Sequence, residues 1–221
     1  MCNAPATGDE HVPPQCLFPE KKDIPGLNLR KNLISVSACD THNSKKSKDD
    51  EYLLFVLVTH FDNNPIAFHH FASKSLRAIT RRPSLISIYE NETKDIVLNG
   101  QMTSAFKINR TRIDRELDHI ARGLYFHEFE RPWTKRINIH SPVMFALNRA
   151  DADSISRIIQ NMASFASMLF NRTPKKGDNP EVFWYQLYTA PDKNSLVVKM
   201  CFYQGVEVIA LSNLKLEENA K

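Results

Sequence analysis

The first 48 residues carry almost no periodic apolar pattern, and this constrains the fold more than any other feature of the chain. The segment is rich in Pro, Asn, Lys and Ser. It cannot supply its own core, and short segments of that kind are commonly fastened by a metal ion. From Asp49 the character changes. Asp49-Asp50-Glu51 stand before the apolar run from Tyr52 to Phe61, and acids in that place complement the N-terminal end of a helix dipole. The chain therefore divides into a module over 1–50 and a body over 51–221.

The body reads as helices first and strands last. Asp62-Asn63-Asn64-Pro65 breaks the first helix, and a second is expected from Pro65 to Arg82, stopped by Pro83. Residues 84–109 are mixed, with short β-like pieces at Leu85–Tyr89 and Phe106–Ile108. Ile113, Leu117, Ile120 and Leu124 share one face of a helix over Thr111–Leu124, with Gly123 marking its end. Arg136–Val143 is a candidate strand. The clearest helix runs from Asp151 to Phe170 at a 3.6-residue period. Pro174-Lys175-Lys176-Gly177 is expected to be a loop. Three strands follow at Val182–Tyr188, Leu196–Tyr203 and Val206–Leu211, the last two joined by a Gln204-Gly205 turn. Phe183, Trp184 and Tyr185 put rings on both faces of one strand, as in a sheet covered on both sides. The expected class is α+β.

Chemistry-bearing residues gather in the module. Glu10-His11 is followed by Val12-Pro13-Pro14. Asn32-Leu33 lies twenty-one residues after His11, then come Cys39-Asp40-Thr41-His42 and Asn43-Ser44-Lys45-Lys46-Ser47. This set resembles the HNH endonuclease family, whose pattern is an acidic residue plus His, a central Asn, and a final His or Asn near a Cys pair. The closing Asn-x-x-Lys-Ser is similar to the H-N-N variant found in the HNH domain of RNA-guided Cas nucleases. More loosely, Ile120-Ala121-Arg122-Gly123-Leu124-Tyr125 and the final Phe-Tyr strand resemble the C-terminal bodies of some stand-alone bacterial HNH proteins.

The resemblance implies an N-terminal ββα-metal module at 1–50, followed by a mixed helical and antiparallel β body. It also implies cleavage of DNA phosphodiesters, in roles such as defence or mobile-element processing. His11 would be the general base, since a neutral imidazole takes a water's proton near pH 7. Glu10 and Asn43 would be oxygen ligands to Mg²⁺ or Mn²⁺, hard cations that complete their shells with water and phosphate. Asn32 would hold the loop that orients His11, and Lys46 would contact phosphate. Cys2, Cys39 and His42 would be ligands of a structural Zn²⁺. Cys2 takes the place of the second cysteine of the family's first knuckle. The first cysteine would fall before Met1, so the fourth zinc ligand is open, with Cys16 the other nearby thiol.

Charge and cysteine usage set the remaining expectations. The net charge is +4; residues 1–50 are neutral, with seven basic and seven acidic side chains, and the excess lies in the body. Lys74, Arg77 and Arg81 share a helical face without acidic neighbours, as either a solvated face or a phosphate-contacting stripe. Arg122 reads as an anchor against the module, and His60, His69 and His70 as ordinary helix residues. Cys201 reads as a core residue. Four cysteines without disulfide-framework spacing, and an N-terminus without a basic-then-apolar leader, suit a cytoplasmic protein. Expected partners are DNA and a regulatory protein, with no membrane. The competing reading is a zinc-stabilised module that binds nucleic acid or protein with little catalysis.

Overall fold

The computed structural model describes residues 5–39, 47–75, 77, 80, 93–98, 101–141, 161, 164, 165, 167–190 and 194–212. The chain is α+β. Strands β1 (Gly8–His11) and β2 (Ser35–Ala38) form an antiparallel two-stranded ribbon in which His11 faces Ser35 and Glu10 faces Val36. Between them lies a long loop containing a single 3₁₀ turn, Gln15–Leu17.

Helix α1 spans Ser47–Val58, with Asp49 and Asp50 in its first turn. Every residue from Tyr52 to Val58 is buried, which is how an all-round apolar helix behaves at the centre of a fold. It stops three residues short of the expected Phe61. Thr59 Oγ1 donates to the carbonyls of Phe55 and Val56, and Asn63 Nδ2 donates to Leu57 O, so side chains take over the carbonyls at the end of the helix. Helix α2 (Pro65–His70) starts on Asn64, whose side chain accepts from Ala67 N, and has Pro65 in its first turn. It passes into a π turn at Phe71–Ser75. Of the expected remainder to Arg82, only residues 77 and 80 are described, both helical.

A hairpin of β3 (Thr93–Leu98) and β4 (Gln101–Phe106) precedes α3 (Arg110–Phe129). The expected apolar face of α3 is fully buried. The helix continues well beyond Gly123, however, and ends at Glu130, which takes the left-handed conformation at φ 54° and donates its N–H to Phe126 O. Gly123 is therefore a packing glycine.

The body's sheet has five antiparallel strands. The order is β5 (Asn138–His140), β9 (Val206–Ser212), β8 (Leu196–Phe202), β7 (Phe183–Thr189) and β6 (Lys176–Asn179). The β7–β8–β9 meander stands as expected, with Tyr203 at φ 48° and Gln204 at φ 61° in the last turn, the twist that suits a tight hairpin. The 174–177 stretch differs from expectation. Lys176 and Gly177 belong to edge strand β6, paired with β7. Of the candidate strand at Arg136–Val143, residues 136–141 are described, and strand β5 covers Asn138–His140 of them. Leu85–Tyr89 and most of Asp151–Phe170 lie outside the described residues; those described from 161 to 170 are helical.

Phe183, Trp184 and Tyr185 are all buried. Phe183 and Tyr185 face the main core, whereas Phe170, Val197 and Ile209 make a smaller cluster. Val12, Leu17, Phe18 and Leu29 join α1, α3 and the sheet in the main core. These four residues of the N-terminal segment are thus buried with the body, whereas Leu27 stays exposed.

Candidate active site

Glu10 and His11 are the last two residues of β1. Successive strand residues project to opposite faces, so the two side chains flank the ribbon. β1 pairs only with β2 among the described residues. A ligand common to Glu10 and His11 would have to straddle the free edge or the end of β1. His11 is half-buried, and its Nδ1 is buried with no hydrogen-bond partner among the described residues. Asn43, the other expected oxygen ligand, lies outside the described residues, as do Cys2, His42, Lys46 and Arg81.

The body holds the loop after β1 through a series of contacts. Val12 N donates to Ile34 O at 2.9 Å, continuing the ribbon, while the Val12 side chain packs on Gly123 of α3. Tyr203 Oη donates to Leu17 O at 2.5 Å, and Lys74 Nζ donates to Cys16 O at 3.1 Å. Arg77 Nη2 pairs with the buried Asp23 carboxylate at 2.6 Å. Asn179 Nδ2 donates to Lys31 O at 2.8 Å. Asn32 Nδ2 donates to Asp178 Oδ2 at 2.6 Å.

Asn32 sits at φ 43°, a conformation Asn tolerates better than most residues. Its side chain thus ties the loop to the sheet edge. Lys74 and Arg77 both spend hydrogen bonds inside the protein, and burial pulls the Lys74 ammonium below its ordinary range. Arg122 was expected to anchor the N-terminal segment. Instead it binds Asp118 on its own helix and the carbonyls of Trp133 and Lys135, and so holds the turn that leads into β5.

His70 departs furthest from expectation. It is fully buried, with Nδ1 2.9 Å from Tyr203 Oη. Because that hydroxyl gives its proton to Leu17 O, it accepts from His70 Nδ1–H. The ring is then the neutral Nδ1–H tautomer, with Nε2 buried and without a partner among the described residues. Burial, reinforced by the Lys74 charge, depresses its pKa to about 3. Nothing in the sequence distinguishes His70 from His69, because the distinction is made by Tyr203, 133 residues away.

Cys39 is buried at the end of β2. Cys16 is half-buried, with its thiol donating to Asp50 O. Burial, and then the Asp50 charge, raise its pKa to about 12. Cys201 is a core residue, as expected. Among the described residues no three His, Cys, Asp or Glu side chains form a metal-holding group, and no helix is long and apolar enough to cross a membrane. No protein-family model, curated protein or solved structure matches the chain.

Proposed function

We propose that the chain is a metal-dependent endonuclease of the HNH type that hydrolyses DNA phosphodiesters. The observation that carries this reading is the placement of Glu10-His11 at the end of the first strand of an antiparallel ribbon. Along the chain β1 and β2 precede helix α1, an order compatible with the strand–strand–helix module that the motif implies.

His11 is the general base of the proposed mechanism, and its Nδ1 meets no hydrogen-bond partner among the described residues. In the proposed reaction a water oxygen attacks phosphorus, its proton passes to His11, the bond to the leaving sugar oxygen breaks, and that oxygen takes a proton from solvent water. The Glu10 carboxylate is a suitable hard donor for Mg²⁺ or Mn²⁺, with Asn43 as second ligand. Such an ion would neutralise charge developing on the phosphate. Asn32 acts on this centre from a distance, by fixing the loop against Asp178. Cys2, Cys39 and His42 are proposed to hold Zn²⁺, and Lys46 to contact the DNA backbone.

Plasmid cleavage with Mg²⁺ or Mn²⁺, compared between wild type and His11→Ala, tests the proposal. Cleavage by the wild type that chelator abolishes, and that falls at least about a hundredfold in a folded His11→Ala protein, is the expected result. Equal cleavage by both would remove His11 from the chemistry, and DNA binding without cleavage would favour the binding-module reading.

A further inference from the structure

The residue that follows His11 occupies a seat made by the body. Val12 is 4 % exposed and fills the space left by the missing side chain of Gly123. A Cβ built on Gly123 would stand 2.7 Å from Val12 Cγ2, 2.9 Å from Cγ1 and 3.3 Å from Cβ. Glycine is disfavoured inside a helix, and Gly123 lies well inside a helix of 20 residues, so this close approach gives its place there a physical reason. On the other side Val12 N is bonded to Ile34 O. Val12 is therefore fixed from two directions, one peptide away from an imidazole whose Nδ1 is engaged by no described group.

We infer that Gly123 is a positioning residue for His11. By admitting Val12 to the surface of α3, it sets how deeply the end of β1 is seated and hence where the His11 ring stands. A methyl group at 123 meets two Val12 methyls below contact distance, and a close-packed interior relieves such overlap by moving something. Displacing Val12 displaces the end of β1 that it directly follows. The catalytic consequence rests on the proposed nuclease reading, whereas the placement of the ring does not.

Two readouts keep these apart: the His11 imidazole C–H resonances at fixed pH without added metal, assigned by their loss in His11→Ala, and plasmid nicking with Mg²⁺. Gly123→Ala should shift the His11 resonances. It should also lower nicking at saturating plasmid by on the order of ten- to a hundredfold, as misplacement of a reacting group does, while the plasmid concentration for half-maximal rate changes little. The double variant Val12→Ala/Gly123→Ala deletes the two overlapping methyls and should return the resonances and most of the rate. Alanine favours helix more than glycine does, so α3 is expected to survive. If Gly123→Ala nevertheless folds poorly, Val12→Ile presses the same seat from the other side and should move the same resonances. Unchanged His11 resonances in Gly123→Ala or in Val12→Ile, or a folded double variant as displaced as Gly123→Ala, would overturn the inference. A wild type that fails to nick, with resonances that follow the expected pattern, would retire the nuclease reading and leave the seat standing.

Discussion

Asn32 Nδ2 donates to Asp178 Oδ2 at 2.6 Å, joining residues 146 positions apart. Both are exposed, so the bond is a modest one, worth about 1 kcal/mol even with a charged acceptor. Asn32→Gly keeps a residue that tolerates φ 43° and removes only the amide. We predict that Asn32→Gly and Asp178→Ala each lower stability by about 1 kcal/mol, and that the double variant loses scarcely more than either. Denaturant midpoints of the four proteins provide the check. Fully additive losses would show that the two side chains do not act on each other.

The buried His70 makes the fold acid-sensitive. Its folded pKa, about 3, lies below the ordinary value of 6.5. Between those values the unfolded chain binds more protons than the folded one, and stability rises with pH. This contribution is fully present above pH 6.5 and is withdrawn as the pH falls towards 3, by up to on the order of 4 kcal/mol. His70→Asn keeps a donor near Tyr203 but cannot titrate. The variant should be less stable at pH 7, by about 1–2 kcal/mol, and should show a flatter stability profile between pH 3.5 and 6.5. Urea unfolding across that range tests the sign, and an unchanged slope would assign the acid sensitivity to other groups.

Among the described elements, helices α1 and α3, the start of α2 and the closing meander were legible because each advertises itself locally. The Ile113–Leu124 stripe has its period, Asn64-Pro65 is a helix start, and Gln204-Gly205 is a turn. Readings failed where the deciding partner was distant. Gly123 looked like a helix end because the residue that needs its missing side chain, Val12, lies over a hundred positions upstream. Lys176 and Gly177 looked like a loop because strand β6 is defined by pairing with β7 rather than by its own alternation. The motif named Glu10, His11 and Asn32 as candidates, but no pattern in the sequence pointed to the pairings of Asp178 with Asn32, Tyr203 with Leu17 or Gly123 with Val12.

Asp49 ties the start of α1 to α3. Its carboxylate receives Arg112 Nε at 2.7 Å and Nη2 at 2.6 Å, and its second oxygen receives Arg115. The Arg112 guanidinium also lies 4.2 Å from the centre of the Tyr52 ring. Asp49→Ala removes a partly buried acceptor shared by two cations, together with a helix N-terminal charge. It should cost about 2 kcal/mol, with a smaller deficit at high salt. Thermal unfolding at two salt concentrations measures both, and a deficit under about 0.5 kcal/mol would place this pair among ordinary surface contacts.

If Cys39 belongs to a zinc site, purified protein should contain about one zinc per chain, and Cys39→Ser should release it. Cys16→Ser should retain the metal, because the Cys16 thiol is turned to Asp50 O. Elemental analysis of the three proteins decides the matter. A well-folded wild type without zinc would rule out the zinc site, and zinc loss in Cys16→Ser would identify Cys16 as the missing ligand.

Glu10, His11 and Asn43 are proposed to meet at one divalent ion. Mn²⁺ titrated into the protein in place of Mg²⁺ broadens resonances only near where it binds, and the His11 imidazole signals report that distance. Selective broadening of His11 at low Mn²⁺, abolished by Glu10→Ala and by Asn43→Ala, is the predicted result. Sharp His11 signals in the presence of Mn²⁺, or broadening indifferent to both substitutions, would contradict it.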